Sequence, residues 1–209
     1  MKGINYYMNN KKITCFISYS HDETNTKKFN KINELICNSS NCINYSERED
    51  KSKFSAKTIW KYLHGRISGS SCTIVLLTDD LMHRNKYKID YKPGDFLHSG
   101  WIYNEISASL RDWKDNRING VVCVIDDEWW DRISLNKSEN GSGWTTLNLK
   151  HYLPEILDKN KEYIIFTKYS NFISDHLKYI QQAIDNRDKQ INSGGTHFKI
   201  KYDLHNRTK

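Results

Sequence analysis

Cys72-Thr73-Ile74-Val75-Leu76-Leu77 is a six-residue run of apolar and β-branched residues with no charge and no polar alternation. A strand that is apolar on both faces belongs in the interior of a parallel sheet covered on both sides by helices. Val121-Val122-Cys123-Val124-Ile125 repeats the pattern downstream. Both runs are strand-length, far short of the ~20 apolar residues a membrane span requires.

Working outward from this core, short apolar strands alternate with amphipathic helices. Upstream, Ile13-Thr14-Cys15-Phe16-Ile17-Ser18 reads as a strand, followed by the polar loop Tyr19 to Thr24. A helix is predicted from near Thr26, with Phe29, Ile32, Leu35 and Ile36 as its inward stripe. Cys42 to Tyr45 reads as a second strand, and Ser46 to Lys53 as a charged loop without period. Ser55 can cap a second helix with Ile59, Trp60, Leu63 and Ile67 facing inward.

Downstream of Leu77, a long polar loop runs from Thr78 to His98. Ser99 can cap a third helix with Trp101, Ile102, Ile106, Leu110 and Trp113 on its apolar side, and Asn119-Gly120 reads as the turn into the strand Val121–Ile125. Residues 126–161 contain three Trp and a glycine-containing turn at Asn140-Gly141-Ser142-Gly143, which suggests a partly packed insertion. Tyr163 to Thr167 supplies a fifth strand. Ser170 is placed to cap a final helix bearing Ile173, Leu177, Ile180 and Ile184.

This alternation predicts an α/β fold of the flavodoxin-like class, a three-layer α/β/α sandwich around a five-stranded parallel sheet. One domain is expected over residues 1–186, followed by a polar tail over 187–209. In such folds the ligand site lies at the carboxyl ends of the strands.

Composition narrows the functional classes. The 209 residues carry 32 Lys and Arg against 25 Asp and Glu, a net charge of +7. The positive residues are dispersed among acidic ones with no basic run, so a solubilising surface is expected and nucleic acid is not expected as a partner. Residues 1–12 lack the apolar core of a signal peptide, and five cysteines form no CxxC pair, which together suggest a reducing cytoplasm. No metal-ligand spacing, GxGxxG, P-loop or GxSxG occurs, so neither a metal nor a bound cofactor is expected.

Three loops should converge at the carboxyl edge, beginning at Tyr19, Ser46 and Thr78, with the start of the third helix beside them. Trp101 and Glu105 are four apart and share a face of that helix. On spacing alone, Glu105 is more plainly a surface glutamate favoured by the helix dipole than a functional carboxylate.

Four of these segments resemble one family in order and spacing. Cys15-Phe16-Ile17-Ser18-Tyr19-Ser20 resembles the FISY opening of Toll/interleukin-1 receptor (TIR) domains, and Ser46-Glu47-Arg48-Glu49-Asp50 falls at the loop after that family's second strand. Cys72–Leu77 is similar to its third strand, and Trp101-Ile102-Tyr103-Asn104-Glu105 matches its WxxxE pattern. The chain resembles in particular the bacterial stand-alone TIR-like proteins, including the TIR component of Thoeris anti-phage systems. It departs from them in the long loop before Trp101, the insertion and the polar tail.

The resemblance implies an enzyme that cleaves the nicotinamide–ribose bond of NAD, its substrate rather than a cofactor, with Glu105 as the catalytic residue. The implied product is an ADP-ribose-derived, cyclic signal nucleotide that acts on a separate effector, after a trigger has promoted self-association. Tyr19, Ser20, Asp22, Ser46 and Trp101 are the candidate substrate contacts. Two other readings stay open: a non-catalytic TIR adaptor acting by protein contact, and a receiver-like phospho-acceptor domain using Asp79, Asp22 and Lys168.

Overall fold

The computed structural model describes residues 12–46, 56–78, 101–112, 118–133, 155–194 and 198. Five strands, β1 (Ile13–Ser18), β2 (Cys42–Asn44), β3 (Cys72–Leu77), β4 (Gly120–Ile125) and β5 (Ile165–Lys168), form one sheet in the order β2-β1-β3-β4-β5. Every pairing is parallel. This is the expected flavodoxin-like arrangement, and its order reverses between β1 and β3, the switch point at whose carboxyl ends such folds bind their ligands.

Strand periodicity sorts the side chains into two layers. Cys15, Ile17, Ile74, Leu76, Val122 and Val124 face α1 (Glu23–Asn38) and the C-terminal helices, meeting Phe29, Ile32, Phe172, Ile180 and Ala183. On the opposite face, Phe16 packs with Leu63 and Ile67 of α2 (Ala56–Ser68) and Ala108 of α3 (Trp101–Ser109). Val75, Leu77, Val121, Cys123 and Ile125 pack there with Ile102, Tyr103 and Ile106 of α3. Both β3 and β4 are buried along their full length, as their unbroken apolar character requires.

Helix α1 starts at Glu23, three residues before the predicted position near Thr26. Asp22 caps it: the Asn25 backbone N–H donates to Asp22 Oδ1 at 2.8 Å, and the Thr26 hydroxyl donates to the Asp22 carbonyl at 2.7 Å. Of the predicted stripe, Phe29, Ile32 and Ile36 are buried and Leu35 is half-buried. In α2, Leu63 and Ile67 face the core as expected. The side chains of Ile59 and Trp60, the cap at Ser55, and Trp113 lie outside the described residues.

The C-terminal segment departs most from expectation. In place of one helix there are α6 (Tyr169–Ser174) and α7 (His176–Asn192), broken at Asp175, whose φ of −149° and ψ of 58° are not helical. In α7, Ile180 and Ala183 face the core, while Leu177, in its first turn, is exposed. Ser170 lies inside α6 and does not cap it. Instead its N–H and its hydroxyl donate to the carboxylate of Asp127, the hydroxyl at 2.7 Å.

β5 begins two residues later than predicted, because Tyr163 and Ile164 belong to a turn whose N–H groups both donate to the Asn160 carbonyl. Helix α7 runs to Asn192, six residues past the predicted end of periodicity, and Ile191 and Phe198 pack partly against the core.

Within the insertion, α4 (Asp127–Ile133) and α5 (Glu155–Asp158) are helical. Trp129 is buried in the core and Trp130 packs against it. Trp144 lies outside the described residues. Among the described residues no helix is long and apolar enough to cross a membrane.

Candidate active site

Helix α3 carries the site, and its burial is unusual for a helix of a small α/β domain. From Ile102 to Leu110 every residue except Asn104 is buried, including Glu105, Ser107 and Ser109. The physical reason is the small-residue stretch Ser107-Ala108-Ser109, where short side chains let neighbouring elements close on both flanks. A single apolar stripe therefore understates how enclosed this helix is.

Glu105 is only 7% exposed, so it is not the surface glutamate its spacing alone suggested. An ionised carboxylate at such depth is costly unless hydrogen-bonded. Ser18, the last residue of β1 and itself buried, donates its hydroxyl to Glu105 Oε2 at 2.5 Å. Strand alternation explains the contact: Ser18 shares a face with Phe16, the side covered by α2 and α3. Two segments 87 residues apart thus meet at the carboxyl edge of the sheet.

A second set of hydrogen bonds fixes α3 from its other end. Ser109 Oγ donates to the Glu105 carbonyl at 2.8 Å, so it must accept from Thr73 Oγ1 at 2.7 Å. Thr73 Oγ1 in turn accepts from Asn119 Nδ2 at 3.1 Å, and Asn119 Nδ2 also reaches the Ile67 carbonyl at 3.1 Å. The Asn119 backbone N–H donates to the Ser109 carbonyl at 2.8 Å. All three side chains are buried, and every bond of the relay joins a donor to an acceptor.

The remaining candidate residues take distinct places. Tyr19 stacks on Phe29, with ring centroids 4.1 Å apart and planes 9° apart, and lies against His21. Ser20 is buried just past β1. Asp22 directs its carboxylate at the first turn of α1, where the Asn25 side-chain amide also donates to it. Ser46 is buried after β2 and accepts from the Ile17 backbone N–H at 2.7 Å, continuing the β1–β2 ladder by a side chain.

Trp101 is the first residue of α3, one turn before Glu105; its side chain lies outside the described residues. Glu47 and Asp79 lie outside them too. The structure thus brings Ser18, Ser20 and Glu105 to one edge, while Asp22 and Ser46 serve the local backbone.

Sequence reading missed three residues at this edge. Ser18 is one. The others are Asp126, directly after β4, and Lys28 of α1, which form an ion pair with both side chains largely buried. Lys28 Nζ also lies 5.5 Å from the centre of the Tyr169 ring. Burial, reinforced by the nearby Asp126 and Asp127 carboxylates, raises the Tyr169 pKa above its ordinary value. The signal for Asp126 was available: it is the first residue past a fully buried parallel strand, where such folds place their chemistry. Among the described residues no group of His, Cys, Asp or Glu is arranged to hold a metal ion.

A parallel 2-1-3-4-5 sheet with a buried, serine-bound glutamate at its carboxyl edge defines a flavodoxin-like α/β domain. Residues 16–91 match the family model described as Thoeris protein ThsB, TIR-like domain, so that segment is similar to that family. The match includes Ser18, Tyr19, Ser20, Asp22 and Ser46 and ends before α3, so Glu105 lies outside it. No curated protein matches the chain.

Proposed function

We propose that this chain is an NAD-cleaving enzyme of anti-phage defence, with Glu105 as its catalytic residue. The observation that carries the reading is the buried Glu105 carboxylate, held by Ser18 at the carboxyl edge of the sheet. Nicotinamide leaves NAD as a neutral molecule, so the transition state resembles a ribosyl oxocarbenium ion. An enclosed carboxylate that hydrogen-bonds the ribose hydroxyls orients the sugar and stabilises the developing positive charge.

No strong base is needed to expel the leaving group. The electron-deficient carbon is then captured by water, giving ADP-ribose, or by an atom of the same nucleotide, giving a cyclic isomer. A water-poor site favours the second course. On this reading the product is a cyclic nucleotide signal, made in the cytoplasm for a separate effector, and activity follows self-association on a trigger.

The test incubates wild type and Glu105→Gln with NAD at high protein concentration and separates the nucleotides by chromatography with mass detection. Nicotinamide release by wild type alone is expected, and the mass and retention of the second product distinguish cyclisation from hydrolysis. Equal release by Glu105→Gln overturns the mechanism. Turnover by neither protein, even with infected-cell lysate added, favours the adaptor reading.

A further inference from the structure

We propose that Ser18 is the positioning residue of the site: its hydroxyl holds the Glu105 side chain in one orientation and in its charged, carboxylate form. The inference rests on the NAD-cleaving reading for its kinetic consequence, but not for its chemical content.

Two hydrogen-bonded anchors found among the described residues act on Glu105, and they differ in kind. The Asn119–Thr73–Ser109 relay ends on the Glu105 backbone carbonyl. It fixes the helix and is indifferent to the charge of the side chain. Ser18 donates to Oε2 of the carboxyl group itself. A hydroxyl that donates to a carboxylate favours the charged form over the neutral acid. That contribution matters here because Glu105 is nearly removed from solvent, and burial alone would favour the neutral acid.

The geometry makes the anchor stiff. Ser18 ends a strand whose register is fixed against β3, with Ser18 opposite Val75. The preceding residue, Ile17, is tied by its N–H to Ser46. The donor therefore comes from the sheet and the acceptor from a helix immobilised by the relay, so neither partner can follow the other if the bond is lost. Glu105 needs an ionised oxygen directed at the sugar to stabilise a cationic transition state. Ser18 supplies both conditions through its bond to Oε2.

The experiment compares full-length wild type with Ser18→Ala, Ser18→Thr and Thr73→Ala. The last is the control, because it also removes a buried hydroxyl bond on the same face but not one to the carboxylate. Two readouts are taken: the pH dependence of kcat and KM for nicotinamide release, and titration of the Glu105 side-chain carboxyl by carbon-13 NMR, assigned with Glu105→Gln.

In Ser18→Ala the Glu105 titration is expected to move up by ~1 pH unit, with the acidic limb of kcat moving alongside it. At neutral pH kcat falls by about tenfold or more while KM stays within about threefold. Ser18→Thr, which retains the hydroxyl, restores both. Thr73→Ala lowers the melting temperature but leaves the Glu105 titration where it is in wild type. An unmoved titration in Ser18→Ala overturns the proposal. If Ser18→Ala does not fold, Ser18→Cys weakens the same donor with little change of shape and is read by the same titration. Wild type that releases no nicotinamide counts against the NAD reading alone, since the carboxyl titration still decides the role of Ser18.

Discussion

Gly120, the first residue of β4, lies so close to α7 that a Cβ placed on it would sit 2.6 Å from the carbonyl carbon of Ala183. The neighbour is main chain, not a flexible side chain, so it cannot turn away. No unusual dihedral is involved: among the described residues only Gly194 has a positive φ. The glycine is required by proximity.

Gly120→Ala must therefore push α7 off β4 or distort the start of the strand. Overpacking of this sort costs about 1–3 kcal/mol. The urea midpoint should fall by the corresponding amount with little change in slope, and an unchanged midpoint would show that the helix yields freely.

Ser46→Ala separates a structural role from a substrate contact. The substitution leaves the Ile17 N–H without its acceptor in a buried setting, a loss of about 1–3 kcal/mol. Reduced stability by urea titration is expected, with KM for NAD nearly unchanged. Full stability with a raised KM would return Ser46 to the substrate pocket.

The relay should show coupling. Asn119 and Thr73 share one hydrogen bond, and each has a further partner in the same network. Asn119→Ala and Thr73→Val are each expected to destabilise the fold. The double variant should depart from additivity by about 0.5–3 kcal/mol in a double-mutant cycle. Strict additivity would mean that the two side chains act independently.

His176 gives a pH dependence of defined sign. Its Nε2 is buried with no hydrogen-bond partner, and burial lowers its pKa from the ordinary 6.5, while Asp175 acts in the opposite direction. With the folded pKa below the unfolded one, the unfolded chain binds the proton first as pH falls. The contribution to stability is thus complete above pH ~6.5 and is lost between there and the lower folded pKa. Melting temperatures of wild type and His176→Phe from pH 8 to pH 5 should converge as pH rises. An identical pH dependence in both would remove His176 as its source.

Much of the architecture could be read from local pattern. Uninterrupted apolar runs such as Cys72–Leu77 carry their own burial on both faces, and the spacing of Phe29, Ile32 and Ile36 names the inner face of α1 without tertiary information. What escaped reading was set by tertiary geometry. Asn119-Gly120 reads as a turn pair, yet Asn119 is a buried hub and Gly120 a close-packing site; the same two letters serve both purposes. Leu177 continues a regular helical stripe with Ile180, yet in the fold the first turn of α7 leaves it exposed. Trp101-x-x-x-Glu105 marked the catalytic candidate through family resemblance, whereas its partner Ser18 is a small residue at a strand end with nothing local to distinguish it. Alternation along β1 places Ser18 on the face of Phe16, but only the packed fold reveals that α3 lies over that face.

The cysteines have a practical consequence. Cys15, Cys42, Cys72 and Cys123 are sealed inside strands or at their starts, and Cys37 is exposed in the last turn of α1. Burial raises the Cys123 thiol pKa well out of the reactive range, and hydrogen bonding to Cys15 together with burial does the same for Cys42. A maleimide dye should consequently attach to the unaltered folded chain at Cys37 alone. Helix α1 runs away from the carboxyl edge, so the fluorophore would stand at the far end of the domain from Glu105. The native sequence thus offers a ready-made optical reporter, suited to testing by energy transfer whether two copies meet, while the edge that holds Glu105 stays chemically untouched.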